Sequence, residues 1–168
     1  MITGSNPEKY AFGYDPKVYL SGSQSAAIRS REEESFHPNE FGTIMQQFKA
    51  SRYLGKRVRF SGFVKTEEAP DWCGLWMRID DRSGNLLGFD NMADRCIKGT
   101  TDWNYYACVL DVPAEADCIN IGILLTGAGH VWLDDCRFEE VGLDIPVTES
   151  SGRASELPAE PQNLAFEE

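Results

Sequence analysis

A chain of 168 residues with 42% hydrophobic side chains is long enough to bury the core of one domain. Its net charge of −11 argues against nucleic acid as a direct partner, because phosphate binding needs a basic patch. No stretch approaches the roughly 18 consecutive apolar residues of a membrane span, and Met1–Ser5 lacks the basic and apolar regions of a signal peptide, so no membrane partner is expected.

Residues 1–9 read as a polar, turn-rich start. Tyr10–Tyr14 and Ser25–Ser30 read as short strands, with Ser21-Gly22-Ser23 as the turn between them. Arg29–Glu34, with Pro38-Asn39 beyond it, is a solvated loop or a short helix. Gly42–Ala50 alternates Ile44, Gln46 and Phe48 against Thr43, Met45 and Gln47, which is a strand pattern. Lys56–Thr66 alternates most cleanly: Val58, Phe60, Gly62 and Val64 oppose Arg57, Arg59, Ser61, Phe63 and Lys65. Gly74–Asp81 sets Leu75, Met77 and Ile79 toward a core and Trp76, Arg78 and Asp80 away from it.

Arg82–Asn85 reads as a hairpin loop before a short strand at Leu87–Phe89. Asp90–Asp102 reads as a polar connection of the kind that carries binding loops. Strands are expected again at Trp103–Val112, Cys118–Leu125 and Gly129–Val141. From Pro146 the chain turns acidic and proline-containing, which predicts a domain over 4–145 and a tail over 146–168. Many short strands separated by turns, with no helical periodicity, predict an all-β antiparallel sandwich or barrel.

The five cysteines (Cys73, Cys96, Cys108, Cys118, Cys136) are odd in number and form no CxxC pair. They read as reduced structural thiols, which implies a cytoplasmic location, with one buried disulfide as the alternative. Asp134-Asp135 is the odd feature of the last strand. Two adjacent carboxylates on a regular strand point to opposite faces, so one of them needs a cation or several hydrogen-bond donors.

Certain segments resemble a known family. Gly129–Val141, with its aromatic, aliphatic and paired aspartate core, looks like the last strand of galactose-binding-like jelly rolls, the fold of many carbohydrate-binding modules. Asn163-Leu164-Ala165-Phe166-Glu167 looks like the strand that usually opens such a module, here displaced to the chain's far end. Gly74–Arg78, Phe89–Met92 and Lys98–Trp103 are similar to bacterial domains loosely labelled as parts of transcriptional regulators.

The resemblance implies a jelly-roll β-sandwich and, in such folds, a structural Ca²⁺ shared between opening and closing strands. The matching positions are Glu167, Asp134 or Asp135, and the Ser21–Ser23 turn, all of them oxygen donors of the kind calcium prefers. The alternative is an aspartate satisfied by backbone N–H groups, Arg137 or Lys17. Residues 163–167 would either dock as a displaced edge strand or be the start of a lost or following repeat.

A candidate site for a small polar, carbohydrate-like ligand comprises Trp76, Arg78, Arg59, Gln47, Asp90, Asn91 and Trp132. Aromatic faces take the C–H side of a sugar, while planar amides and guanidinium groups take its hydroxyls. The plainer alternative is that the tryptophans pack under loops and Arg78 pairs with Asp80 or Asp90. Asp90 and Asp102 are the candidates for acid–base catalysis in a lyase, cyclase or isomerase reading. His37 and His130 belong to no recognisable nucleophile motif. A protein–protein or homodimer interface on the same face is a further alternative, and no cofactor is required by any pattern.

Overall fold

The computed structural model of the protein describes residues 1–149. These residues form an antiparallel sandwich of nine strands, as the alternation predicts, and of the jelly-roll type that the resemblance implies. In chain order these are β1 (Ile2–Gly4), β2 (Tyr10–Asp15), β3 (Ser25–Ser30), β4 (Phe41–Lys49), β5 (Arg57–Asp81), β6 (Leu86–Asp90), β7 (Ile97–Asp111), β8 (Ala116–Thr126) and β9 (His130–Val141). Two short 3-10 turns, Pro7–Lys9 and Ala93–Arg95, are the helical elements among the described residues.

The organising strand is β5. At about 3.3 Å per residue its 25 residues would reach roughly 80 Å if straight, about twice the breadth of a domain this size. It therefore bends. Register shifts fall between Val64 and Cys73, where Glu68 takes a positive φ of 48° and Pro70 has no N–H to donate to a ladder. Before the bend, residues 57–67 pair with β9 and β7. After it, residues 72–81 pair with β8 and β6. The sequence suggests two strands here; the chain makes one that belongs to both layers.

Layer one is thus β1-β4-β8-β5-β6, and layer two is β2-β3-β9-β5-β7. Between them lie Val58, Phe60, Val64, Leu75, Met77, Ile79, Ile119, Ile123 and Val131, all buried and all at alternate strand positions. Their burial from water is the main force holding the layers together.

Further expectations change. β1 pairs with β4 although residues 1–9 read as turns, because three residues are too few for alternation to show. The expected 90–102 connection is shorter, since β7 already begins at Ile97. Its first residues, Lys98-Gly99-Thr100-Thr101, are polar and carry no apolar period, and Gly99 sits at φ 77° in a bulged edge.

The start of the expected tail is also part of the sandwich. Thr148 N–H donates to the Val109 carbonyl at 2.9 Å, its hydroxyl donates to Asp90, and Val147 packs on the core. The segment through Glu149 therefore closes the side of the sandwich where β6 and β7 lie. The proposed displaced strand at 163–167 lies outside the described residues.

The acid pair has a different geometry from the expected one. Phe63 pairs with Asp134 but Ser61 pairs with Arg137, so β9 carries an extra residue at this point. Asp135 occupies it with φ 47°, a left-handed conformation that aspartate tolerates better than most residues. The two carboxylates therefore sit on a bulge and not on a regular alternating strand.

Candidate functional site

The outer face of layer one is the place where the sequence puts chemistry that the fold does not consume. Strand register brings its side chains into rows. Thr43 of β4, Leu124 of β8 and Gly74 of β5 form one row; Met45, Gly122 and Trp76 form the next; Gln47, Asn120, Arg78 and Phe89 form the third. A cleft of about 480 Å³ lies over these rows, within the roughly 300–1,000 Å³ typical of small-molecule sites.

Its floor and walls come from five strands and two loops. β4 supplies Phe41, Thr43 and Met45; β8 supplies Leu124 and Thr126; β5 supplies Trp72, Trp76 and Arg78. Thr3 of β1, Phe89 of β6, Asn91 and Asn39 complete the rim. A second depression of about 350 Å³, reaching His37, Asp71 and Lys98, shares Trp72, Asn39 and Thr126 with it.

Trp76 is only partly buried and is held in place. Its indole N–H donates to the Thr43 hydroxyl at 2.8 Å, and that hydroxyl donates to the Ile123 carbonyl at 2.6 Å. Space for the ring exists because residue 122 is glycine: a Cβ there would lie 2.8 Å from the indole nitrogen. Trp72 lies four residues earlier on the same face, roughly 13 Å away along the strand.

Arg78 is tethered at one edge. Its Nε donates to both oxygens of Asp80 at 2.9 and 3.0 Å, and Asn120 donates to the same carboxylate at 3.3 Å. The arginine side chain remains 45% exposed while that of Asp80 is 10% exposed. The expected Arg78–Asp80 pair and the cleft placement therefore hold together, without excluding each other.

Of the seven expected site residues, Trp76, Arg78 and Asn91 line the cleft, and Gln47 lies on the same face in the Arg78 row. The other three do not join them. Arg59 lies on the outer face of layer two, where it binds Glu139 at 2.8 Å. Trp132 is 3% exposed on that same layer, stacked on His130 with its N–H on Asp15 at 2.9 Å. Alternation gives the side of a strand, but not which of two layers that strand occupies; that is why these residues were grouped.

Asp90 is fully buried on the inner side of β6. It accepts from Arg95 at 2.5 and 3.1 Å, from the Met92 N–H and from Thr148, an arrangement that anchors the loop and the closing segment. Asp102 lies on β7 with its side chain 87% exposed, 3.6 Å from Lys65. The Trp103 N–H and the Lys65 charge hold its carboxyl below the ordinary range, the opposite of what a general acid needs. Neither aspartate lines the cleft, so the pairing of Asp90 with Asp102 across a pocket is not what the fold builds.

At the bulge, Asp134 accepts from the N–H groups of Leu20, Ser21 and Asp135 at 2.7, 2.8 and 2.7 Å. Burial raises this carboxyl, but the three N–H groups outweigh burial and hold it below its ordinary value. One of these donors, Ser21, belongs to the turn that the calcium reading invoked, yet it offers a hydrogen to the carboxylate. Asp135 lies 4.0 Å from Arg137. Glu167 lies outside the described residues, among which no group of three or more His, Cys, Asp or Glu is placed to hold a metal. All five cysteines are free thiols, and burial pushes Cys73 up to about 12.

Sequence reasoning missed Trp72, Thr43, Phe41, Met45, Leu124 and Phe89. Trp72 had a usable signal, since it stands an even number of positions from Trp76 on one strand. The others became visible only through register.

The fold is a jelly roll that solved structures of low sequence identity share. Similar solved structures include the CBM22-1 xylan-binding domain of Paenibacillus barcinonensis Xyn10C, 12% identical at a TM-score of 0.55, covering 83% of this chain and 85% of that one. The C-terminal family 22 module of Clostridium thermocellum Xyn10B is 15% identical at 0.55, over 86% and 88%. The enzymatically active domain of bacteriophage CBA120 tailspike protein 4 is 16% identical at 0.59, over 83% of this chain and 19% of that one.

In sequence, the whole chain is 45% identical to part of YbfP of Bacillus subtilis, named an uncharacterized HTH-type transcriptional regulator. It spans 56% of that protein's length. No family model matches the chain.

Proposed function

We propose that the protein is a non-catalytic recognition module for a carbohydrate-like ligand, bound in the cleft on the outer face of layer one. The observation that carries this reading is the cleft itself: two tryptophans on one strand, one fixed by Thr43, beside an arginine and a rim of amides and hydroxyls. Apolar ring faces and planar polar groups are the two kinds of contact a sugar offers partners for. The likeness in fold to xylan-binding domains supports a saccharide over other polar ligands.

A specific observation favours a second role for the same site. The match to YbfP runs over all 168 residues and leaves nearly half of that protein outside it. In this reading the module senses a ligand on behalf of a regulator, and any contact with DNA belongs to other parts of such a protein.

The test is a thermal-shift screen of neutral and acidic mono- and oligosaccharides, followed by calorimetry on any that bind. A ligand at 100 times its Kd should add about 2.7 kcal/mol of stability. Trp76→Ala should weaken binding tenfold or more while the variant keeps its β-type circular dichroism. Binding that survives this substitution unchanged would place the ligand elsewhere.

A further inference from the structure

We infer that the saccharide taken by this cleft carries an acidic group, a carboxylate or a phosphate, and that Arg78 reads it. The inference rests on the saccharide reading above and narrows it to a substrate class.

Among the described residues that line the cleft, Arg78 is the one that is ionisable. In a chain of net charge −11, a lone cation in the recess is a selective placement. The manner of its tethering matters more. Both oxygens of Asp80 are taken up by Nε alone, and among the described residues neither Nη atom donates a hydrogen bond. The cations across layer two are arranged differently: Arg57 uses Nε and Nη2 on Asp111 and Nη1 on the carbonyls of Leu143 and Ile145. In Arg78 the two Nη groups remain as a fork, the geometry that meets a carboxylate or phosphate with two parallel hydrogen bonds.

Asp80 and Asn120 make that fork rigid. Asp80 is itself 7% exposed and held by Asn120, so the guanidinium edge it grips cannot swing freely. Asp80 also balances the charge of Arg78 at a distance, so selectivity arises from contact hydrogen bonds and not from long-range attraction. Trp76, in the neighbouring row, then takes the apolar face of the sugar whose acidic substituent meets Arg78.

The experiment titrates the protein with glucuronate, galacturonate and their dimers, with glucose, galactose and their dimers, and with glucose and galactose 6-phosphates. Arg78→Gln and Arg78→Lys are titrated beside the unaltered chain, each first shown to unfold cooperatively. The expected result is that uronates or sugar phosphates bind about tenfold or more tightly than matched neutral sugars. Which of the two sets wins distinguishes carboxylate from phosphate. Arg78→Gln should remove the preference for the acidic sugars; Arg78→Lys should restore part of it.

Neutral sugars binding as well as acidic ones, in both the unaltered chain and Arg78→Gln, would overturn the inference and leave the saccharide reading intact. Folded protein that binds no member of any set would overturn both.

Discussion

The two outer faces of the sandwich are built from the same strand and differ in how their charges are handled. On layer two, the outward residues of β5 find partners beside them: Arg57 on Asp111, Arg59 on Glu139 and Lys65 near Asp102. One of its tryptophans, Trp132, is buried, stacks on His130 and donates to Asp15. On layer one, β5 presents Trp72, Trp76 and a fork-bearing Arg78 to a cleft floored by Thr43 and Gly122. One face satisfies itself and the other has capacity left over. Function is best sought where side chains are held in place without being used up.

The sharpest way to break this contrast is Asp90, which belongs to neither face. If it were a ligand or catalytic group, Asp90→Ala would change binding and spare the fold. Its burial and its bonds to Arg95, Met92 and Thr148 lead to the opposite expectation. Removing one partner of a buried ion pair costs about 3–5 kcal/mol, and urea unfolding should report a loss of that size. Retained stability with altered ligand affinity would return Asp90 to the site.

The next effect is smaller and falls on the cleft. Gly122→Val should cost roughly 1–3 kcal/mol through overpacking, because its Cβ would press on the Ile44 carbonyl and on the Trp76 indole. Denaturation and calorimetry together check it: stability should fall modestly and saccharide affinity should fall sharply. Unchanged affinity would mean that the tryptophan's seat is not what the ligand reads.

Most of the architecture was legible from alternation, since Val58, Phe60 and Val64 and then Leu75, Met77 and Ile79 do face the core. The same rule put Trp76 and Arg78 outward together. What it could not supply was layer membership, which arises where β5 bends around Glu68 and Pro70 and sends Arg59 and Arg78 to opposite sides of the molecule. Nor could it show that Trp132 would be buried, because Asp15, which takes its N–H, is far away in sequence. The Asp134-Asp135 pair read as a charge problem and is a bulge; an extra residue in one strand leaves no trace in a hydrophobic pattern.

Layer two should be nearly silent in comparison. A double-mutant cycle of Arg59→Gln and Glu139→Gln should give a coupling of about 0.5 kcal/mol, as for other partly exposed pairs, with no change in saccharide binding. A large binding effect from either substitution would end the division between the two faces.

The smallest effect is a pH dependence carried by His130, also on layer two. Burial, and after it the nearby Arg29 charge, lowers the pKa of His130 from its ordinary 6.5. The unfolded chain therefore binds a proton here at a pH where the folded chain does not. Stability should fall as pH drops through 6.5 and level off below the lowered folded value. The lowered carboxyls of Asp15, Glu40 and Asp134 act in a separate, more acidic window, because their stabilisation is lost only as pH falls below the ordinary carboxylate range. His130→Gln should flatten the upper limb alone. Melting temperatures across pH 5 to 7.5 for the two proteins would show this, and a curve unchanged by the substitution would mean that His130 is as readily protonated in the fold as outside it.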